Sequence, residues 1–168
     1  WEAQREFWDS LVKKGKEILK EREGEDILVL VGRPYNAFDP GASLHLSQKI
    51  SRIGALALPM DFLPLEVKDH ETYWGYGQKI LAAARFIGSS KRLFPVYVTN
   101  FACGPDSFIL HFFKKAIGDR PCLELEIDEH SADAGIMTRI EAFWDSLKMR
   151  KRKNYFVARN RKSAAFKK

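Results

Sequence analysis

Leu93-Phe-Pro-Val-Tyr-Val-Thr-Asn-Phe-Ala-Cys-Gly-Pro-Asp-Ser-Phe108 changes its hydrophobic pattern halfway along. Leu93, Phe94, Val96, Tyr97 and Val98 form a short apolar run rich in β-branched and aromatic residues, which predicts a buried strand. From Phe108 to Ile117 apolar residues recur at helical spacing, and Gly118 closes that segment. Cys103 therefore falls in a strand-to-helix turn. Gly104 permits a sharp bend there. Pro105 suits the first helical position, where a missing N–H is harmless. The positive end of a helix and its free N–H groups favour a thiolate at such a turn. On the residues alone Cys103 is a metal or cluster ligand, a nucleophile, or a small buried residue at an α/β corner.

The same grammar repeats outward in both directions. Residues 1–23 carry Phe7, Trp8, Leu11, Val12, Ile18 and Leu19 on one helical stripe, stopped by Gly24. The run Ile27-Leu-Val-Leu-Val31 is continuously apolar, as a strand covered on both faces should be. A turn over 33–41 leads into a helix from about Ser43 to Ile53. Residues 55–60 predict a second strand, and 61–69 a loop. A helix carrying Tyr73, Trp74, Ile80, Leu81 and Phe86 precedes the third strand, 93–101. Residues 122–127 alternate Leu and Glu as a fourth strand, and 132–147 form a last long helix. Strands alternating with helices predict an α/β fold: a three-layer domain with a four-stranded parallel sheet, in the flavodoxin-like or Rossmann-like style.

At 168 residues the chain is one domain by size, with a 45% hydrophobic fraction sufficient for a core. The boundaries predicted are an α/β domain with an N-terminal helix over 1–149 and a basic tail or linker over 150–168. Residues 148–168 hold ten Lys and Arg and no acidic residue, so residues 1–147 carry a balance of −4 within the total of +6. Beyond about residue 150 the apolar residues Tyr155, Phe156, Val157 and Phe166 are few, and little packing is expected. A basic block binds nucleic acid or an anionic surface in some proteins and is a solvated tail in others. No base-stacking or groove-reading motif accompanies it, which argues against a nucleic-acid partner. No apolar run has membrane-spanning length, and no signal peptide opens the chain. Two distant cysteines do not make a disulfide framework, which points to the cytoplasm. The start at Trp1, inside a helical pattern, reads as a piece cut from something longer.

Parallel sheets place their sites beyond the carboxyl ends of the strands, near the reversal of strand order. That rule selects Arg33, Tyr35 and Asn36 after strand one, Met60, Asp61 and Phe62 after strand two, Asn100, Cys103, Asp106 and Ser107 after strand three, and Asp128, Glu129, His130, Ser131 and Asp133 after strand four. Gly32-Arg-Pro-Tyr-Asn36 lacks both common phosphate-loop patterns. Arg33 either grips a phosphate or carboxylate or pairs with a neighbouring carboxylate such as Asp61 or Asp128. Ser131 or Asp128 is suited to cap the last helix, with Asp133 complementing its dipole. His130 is an acid, base or ligand, or a solvated loop residue. Cys103 has no partner at metal-binding spacing. Cys122 opens the fourth strand at its amino end, across the sheet from Cys103, and reads as core.

Five blocks in order resemble a known family: Ile27-Leu-Val-Leu-Val-Gly-Arg-Pro-Tyr-Asn36, Pro59-Met-Asp-Phe-Leu-Pro64, Tyr73-Trp-Gly-Tyr-Gly-Gln-Lys-Ile80, Thr99-Asn-Phe-Ala-Cys-Gly-Pro-Asp-Ser-Phe108 and Leu125-Glu-Ile-Asp-Glu-His-Ser-Ala-Asp-Ala-Gly135. Over about residues 25–147 they are similar to the large CoA-substrate-specific enzyme activase-related proteins of the 2-hydroxyacyl-CoA dehydratase system. Those chains join an ATPase activator of the acetate-kinase-like fold to regions like the dehydratase subunits, and the resemblance here is to the latter. Dehydratase subunits hold a [4Fe-4S] cluster through cysteines from several α/β domains. The resemblance therefore implies that Cys103 is one cluster ligand at an interdomain face. It implies partners among the other domains of the same chain, a CoA thioester and a redox partner. One thiolate cannot hold four irons, so no cluster is expected on this piece alone, which should be inactive. The full-length protein would be an activase or dehydratase-like. The rival readings are a non-catalytic CoA- or nucleotide-binding module using Arg33 and the helix at Pro105, a thiol enzyme using Cys103 with His130, and polyanion binding through the tail.

Overall fold

The computed structural model describes residues 1–67, 73–100 and 103–165, with side-chain surroundings as far as Lys153. In chain order the elements are α1 (Glu2–Glu21), β1 (Ile27–Val31), α2 (Pro34–Ala37), α3 (Leu46–Arg52), β2 (Leu56–Pro59), a 3-10 turn (Met60–Phe62), α4 (Gly75–Ser89), β3 (Leu93–Asn100), α5 (Gly104–Ile117), β4 (Leu123–Ile127) and α6 (Asp133–Ala165). The four strands form one all-parallel sheet in the order β2-β1-β3-β4. The four predicted strands are these four, within a residue or two at each end. The predicted last residue of the third, Phe101, lies outside the described residues, as do Asp69 and Phe166.

The sheet divides two cores by the alternation of its side chains. Ile27, Val29 and Val31 point to one face, where they meet Ile80 and Ile87 of α4, Ile109, Phe113 and Ile117 of α5, and Ile18 and Leu19 of α1. Leu28 and Leu30 point to the other, against Leu46 and Ile50 of α3 and Ile136, Ile140, Trp144 and Leu147 of α6. This is the three-layer α/β arrangement. All five residues of β1 are buried, as befits a central strand. The alternation of β4 has a different cause: it lies at the sheet edge, with Leu123, Leu125 and Ile127 inward and Glu124 and Glu126 facing out.

Several local expectations are corrected. The stretch after β1 is not all turn, because Pro34–Ala37 winds into the single turn of α2. The next helix starts at Leu46 rather than Ser43, since Leu44 and His45 both take left-handed backbone angles (φ 50° and 53°). Buried Lys49 fixes that corner by bonding to the Leu44 carbonyl and to Asp133. Tyr73 is not part of α4 and is fully exposed, while Trp74 precedes the helix. In α5 Gly104 takes the first position and Pro105 the second. The last helix runs 33 residues, far past Leu147. Nothing after Gly135 is a Gly or Pro, and Lys, Arg and Ala are good helix formers. It crosses the predicted boundary at residue 150 without a break. No helix among the described residues is long and apolar enough to cross a membrane.

Candidate functional site

With β1 and β3 adjacent at the centre of the sheet, their connections leave in opposite directions and open a crevice at their carboxyl ends. Gly32 starts the β1 exit. A Cβ there would collide with the Val98 carbonyl of β3, so only glycine lets the chain turn this close to its neighbour. Arg33 is thereby delivered to the mouth of β3.

One nitrogen of Arg33 binds two groups. Its Nη2 donates to Cys103 Sγ at 2.8 Å and to Asp106 Oδ2 at 2.8 Å. The same carboxylate oxygen accepts the Thr99 hydroxyl at 2.8 Å, and the Tyr97 hydroxyl lies 3.4 Å from the Asp106 carbonyl. Asp106 is 2% exposed and Arg33 has a side chain 17% exposed, so this ion pair is largely removed from water. Burial opposes the Arg33 charge, but the hydrogen bond and charge of Asp106 outweigh it. Cys103 and the nearby Tyr35 add to them, and the pKa rises above the ordinary arginine value. The guanidinium also sits 4.8 Å from the Tyr35 ring centroid. Tyr97 is raised as well, first by burial and then by the charges of Asp106 and Cys103.

The predicted partners of Arg33 are thus replaced. Asp61 is engaged by Lys79 of α4. Asp128 accepts from the His130 N–H and the Ser131 hydroxyl, each at 2.9 Å. Those bonds also correct the expected cap, since Asp128 and Ser131 close on each other as a turn; Asp133 stands in the first turn of α6 as expected and pairs with Lys49 at 2.6 Å. The carboxylate that holds Arg33 comes instead from the first turn of α5, 73 residues away in sequence.

Beside this cluster opens a cleft of about 710 Å³, lined by Arg33, Pro34 and Tyr35, by Trp74 and Tyr76 at the start of α4, and by Gly104, Pro105, Phe108 and Ile109 of α5. Its walls are mostly apolar and aromatic, with the charged pair at one side, the usual makeup of a ligand cleft. Of the aromatic residues only Tyr35 was selected from the sequence, as a strand-end residue; Trp74 and Phe108 read there as parts of helices.

Of the residues selected from the sequence, Arg33, Cys103 and Asp106 come together. Asn36 lies buried in α2, at 1% exposure, and among the described residues neither its Oδ1 nor its Nδ2 has a hydrogen-bond partner. Such a group is one that a ligand or ordered water satisfies. Ser107 is exposed, and its N–H closes the first turn onto the Cys103 carbonyl. His130 is exposed, with its imidazole 3.6 Å from Glu129, and no described contact joins it to the cluster. Cys122 is packed against the first core at the amino end of β4, with its thiol pushed up to about 12, chiefly by burial. Among the described residues no group of three or more His, Cys, Asp or Glu is arranged to hold a metal ion.

Residues 1–63 match a family model described as the CoA enzyme activase uncharacterised domain. The match runs from α1 through the 3-10 turn after β2, taking in Arg33 and Asn36 and ending well before Cys103. It relates this part of the chain to the CoA enzyme activases. No curated protein and no solved structure matches the chain.

Proposed function

We propose that this chain is a module of a larger iron–sulfur protein related to the CoA enzyme activases and the 2-hydroxyacyl-CoA dehydratases, in which Cys103 supplies one thiolate of a [4Fe-4S] cluster completed by other domains. The observation that carries the reading is the Arg33–Cys103 hydrogen bond at the switch-point edge of the sheet, beside an open cleft. The donor set fits one corner of such a cluster and no more, since an all-cysteine cluster needs four thiolates. When bound, the cluster would supply one-electron transfer, in a reducing cytoplasmic setting.

The chain's own residues have definable tasks in this reading. Arg33 donates to the ligand sulfur, and a cationic donor that neutralises charge on sulfur favours the reduced cluster and so raises its potential. Asp106 fixes the guanidinium, and Thr99 fixes Asp106. Trp74, Tyr76 and Phe108 would give an apolar wall to the side where a CoA thioester or a redox partner would approach.

A second reading, a non-catalytic CoA- or nucleotide-binding module, draws support from the orphaned Asn36 amide and the aromatic cleft. Against it, Asp106 occupies the first turn of α5 and already holds Arg33, where a phosphate would need free donors and no carboxylate.

The full-length protein, reconstituted with iron and sulfide without oxygen, should show a cluster by absorption and electron paramagnetic resonance. Cys103→Ala should lose or damage that signal with the fold intact by circular dichroism, and Cys122→Ala should keep it. Arg33→Gln should keep the cluster and shift its reduction potential. An unchanged cluster in Cys103→Ala sinks the reading. Calorimetric binding of CoA that survives Cys103→Ala, with no cluster in either protein, would favour the second.

A further inference from the structure

At the opposite end of the sheet from Cys103, a cavity of about 460 Å³ lies between the amino ends of β1 and β3, the carboxyl ends of α4 and α5, and α6. Four cations line it: Lys91, Arg120, Arg150 and Lys151, with the carboxylates Asp26 and Asp119. Two of these cations have local contacts, and only Lys151 has a carboxylate partner. Lys151 lies 3.4 Å from Asp26 and 3.3 Å from the Gly24 carbonyl. Arg120 reaches the Leu93 and Gly88 carbonyls at 3.3 and 3.4 Å and stacks 5.5 Å from the Phe94 ring centroid, a role the negative end of α4 explains.

The remainder is not explained by the fold. The carbonyls that hold Arg120 do not neutralise it: among the described residues it forms no ion pair, and its buried Nε has no hydrogen-bond partner. Lys91 and Arg150 line the same cavity with no described ion pair. Burial and the facing charge of Arg150 both lower the pKa of Arg120, so the two guanidinium groups repel across the space between them. Lys91, Arg120 and Arg150 around one concavity, against Asp119 alone once Asp26 is paired with Lys151, leave it net positive and complementary to an oxyanion.

We propose that this cavity is a binding site for a small phosphate-bearing anion, with Lys91, Arg120 and Arg150 as its ligands, independent of the Cys103 cleft. The volume accommodates two linked phosphate groups. Lys91 and Arg150 are exposed, so replacing them leaves the core untouched.

Pyrophosphate, inorganic phosphate and a short single-stranded oligonucleotide are titrated against the chain, reading the arginine Nε–H resonances and heat. Pyrophosphate should move the Arg120 Nε–H signal and bind more tightly than phosphate. Lys91→Gln with Arg150→Gln should weaken it by about tenfold or more. Lys153→Gln and Cys103→Ala should bind as the parent does. Absence of pyrophosphate binding at millimolar concentration overturns the proposal, as does binding that the double substitution leaves unchanged. An oligonucleotide that binds more tightly than pyrophosphate, and still binds the double variant, would assign the charges to a polyanion along α6 and overturn it too.

Discussion

Arg33, Cys103 and Asp106 show what a residue-by-residue reading reaches and where it stops. Each was selected from the sequence as a strand-end residue, but the ion pair joining them spans 73 positions and closes only when β1 and β3 lie side by side. Asp61 and Asp128 were equally reasonable partners by type, and what removed them was Lys79, brought to Asp61 by packing, and the local turn that closes Asp128 on Ser131. The other cysteine was legible in part: it opens the fourth strand away from Cys103 and is partly buried against the first core. Its burial has a consequence for pH. An unfolded thiol titrates near 8.5, whereas folded Cys122 is raised to about 12. Above pH 9 the unfolded chain therefore binds fewer protons than the folded one, and stability falls as pH rises, up to about pH 12. Tyr76 and Tyr97, both raised by burial, act in the same direction at higher pH. Cys122→Ala should remove the thiol's part, on the order of 2 kcal/mol by pH 10. Urea melts at pH 8 and pH 10 measure it: a pH dependence identical in the two proteins would contradict the burial of this thiol.

Among the elements, α1 departs furthest from what its pattern promised. Its apolar stripe reads as a buried face, yet Phe7 is 55% exposed and Trp8, Leu11, Val12, Ile18 and Leu19 are only half-buried. The residue it buries is Gly15, which hydrophobic periodicity ignores. The helix backbone lies against the 3-10 turn, and a Cβ on Gly15 would overlap the Phe62 carbonyl. A second clamp is Trp8, whose ring centroid lies 3.7 Å from Lys79 Nζ, while Lys79 holds buried Asp61. Gly15→Ala should thus destabilise the protein, even though alanine favours an isolated helix by about 1 kcal/mol. The overlap costs about 1–3 kcal/mol, paid against backbone that cannot move without disturbing β2. Hydrogen exchange should quicken in the amides of α1 and stay slow in β1 and β3. A stabilised variant, or uniform exchange throughout, would show that α1 is held by its side chains instead. The sheet elements were legible for the converse reason: their burial is written into runs and alternations that a local window sees.

At the scale of the whole molecule the fold class followed from the order of strands and helices, and the burial of β1 on both faces followed from its continuous apolar run. The order β2-β1-β3-β4 did not, because pairing is decided by which helices cover which face. Nor was the length of α6 legible: a run of like charge reads as a solvated tail whether or not it is helical. The two cores indicate how much of that helix the domain needs. The buried positions described on α6 are Ile136, Ile140, Trp144 and Leu147, and one turn beyond them Lys151 reaches Gly24 and Asp26. A chain ending at Lys153 keeps all of these contacts and loses five Lys and Arg and no acidic residue, which takes the formal net charge from +6 to +1. Removing that self-repulsion offsets the lost helical hydrogen bonds, so thermal unfolding should shift by no more than a few degrees. The shortened chain also retains Lys91, Arg120, Arg150 and Lys151, and should bind pyrophosphate with its affinity intact while weak, salt-sensitive binding of longer polyanions declines. A melting temperature lower by about ten degrees or more would mean that the distal half of α6 packs on the domain and belongs to its fold.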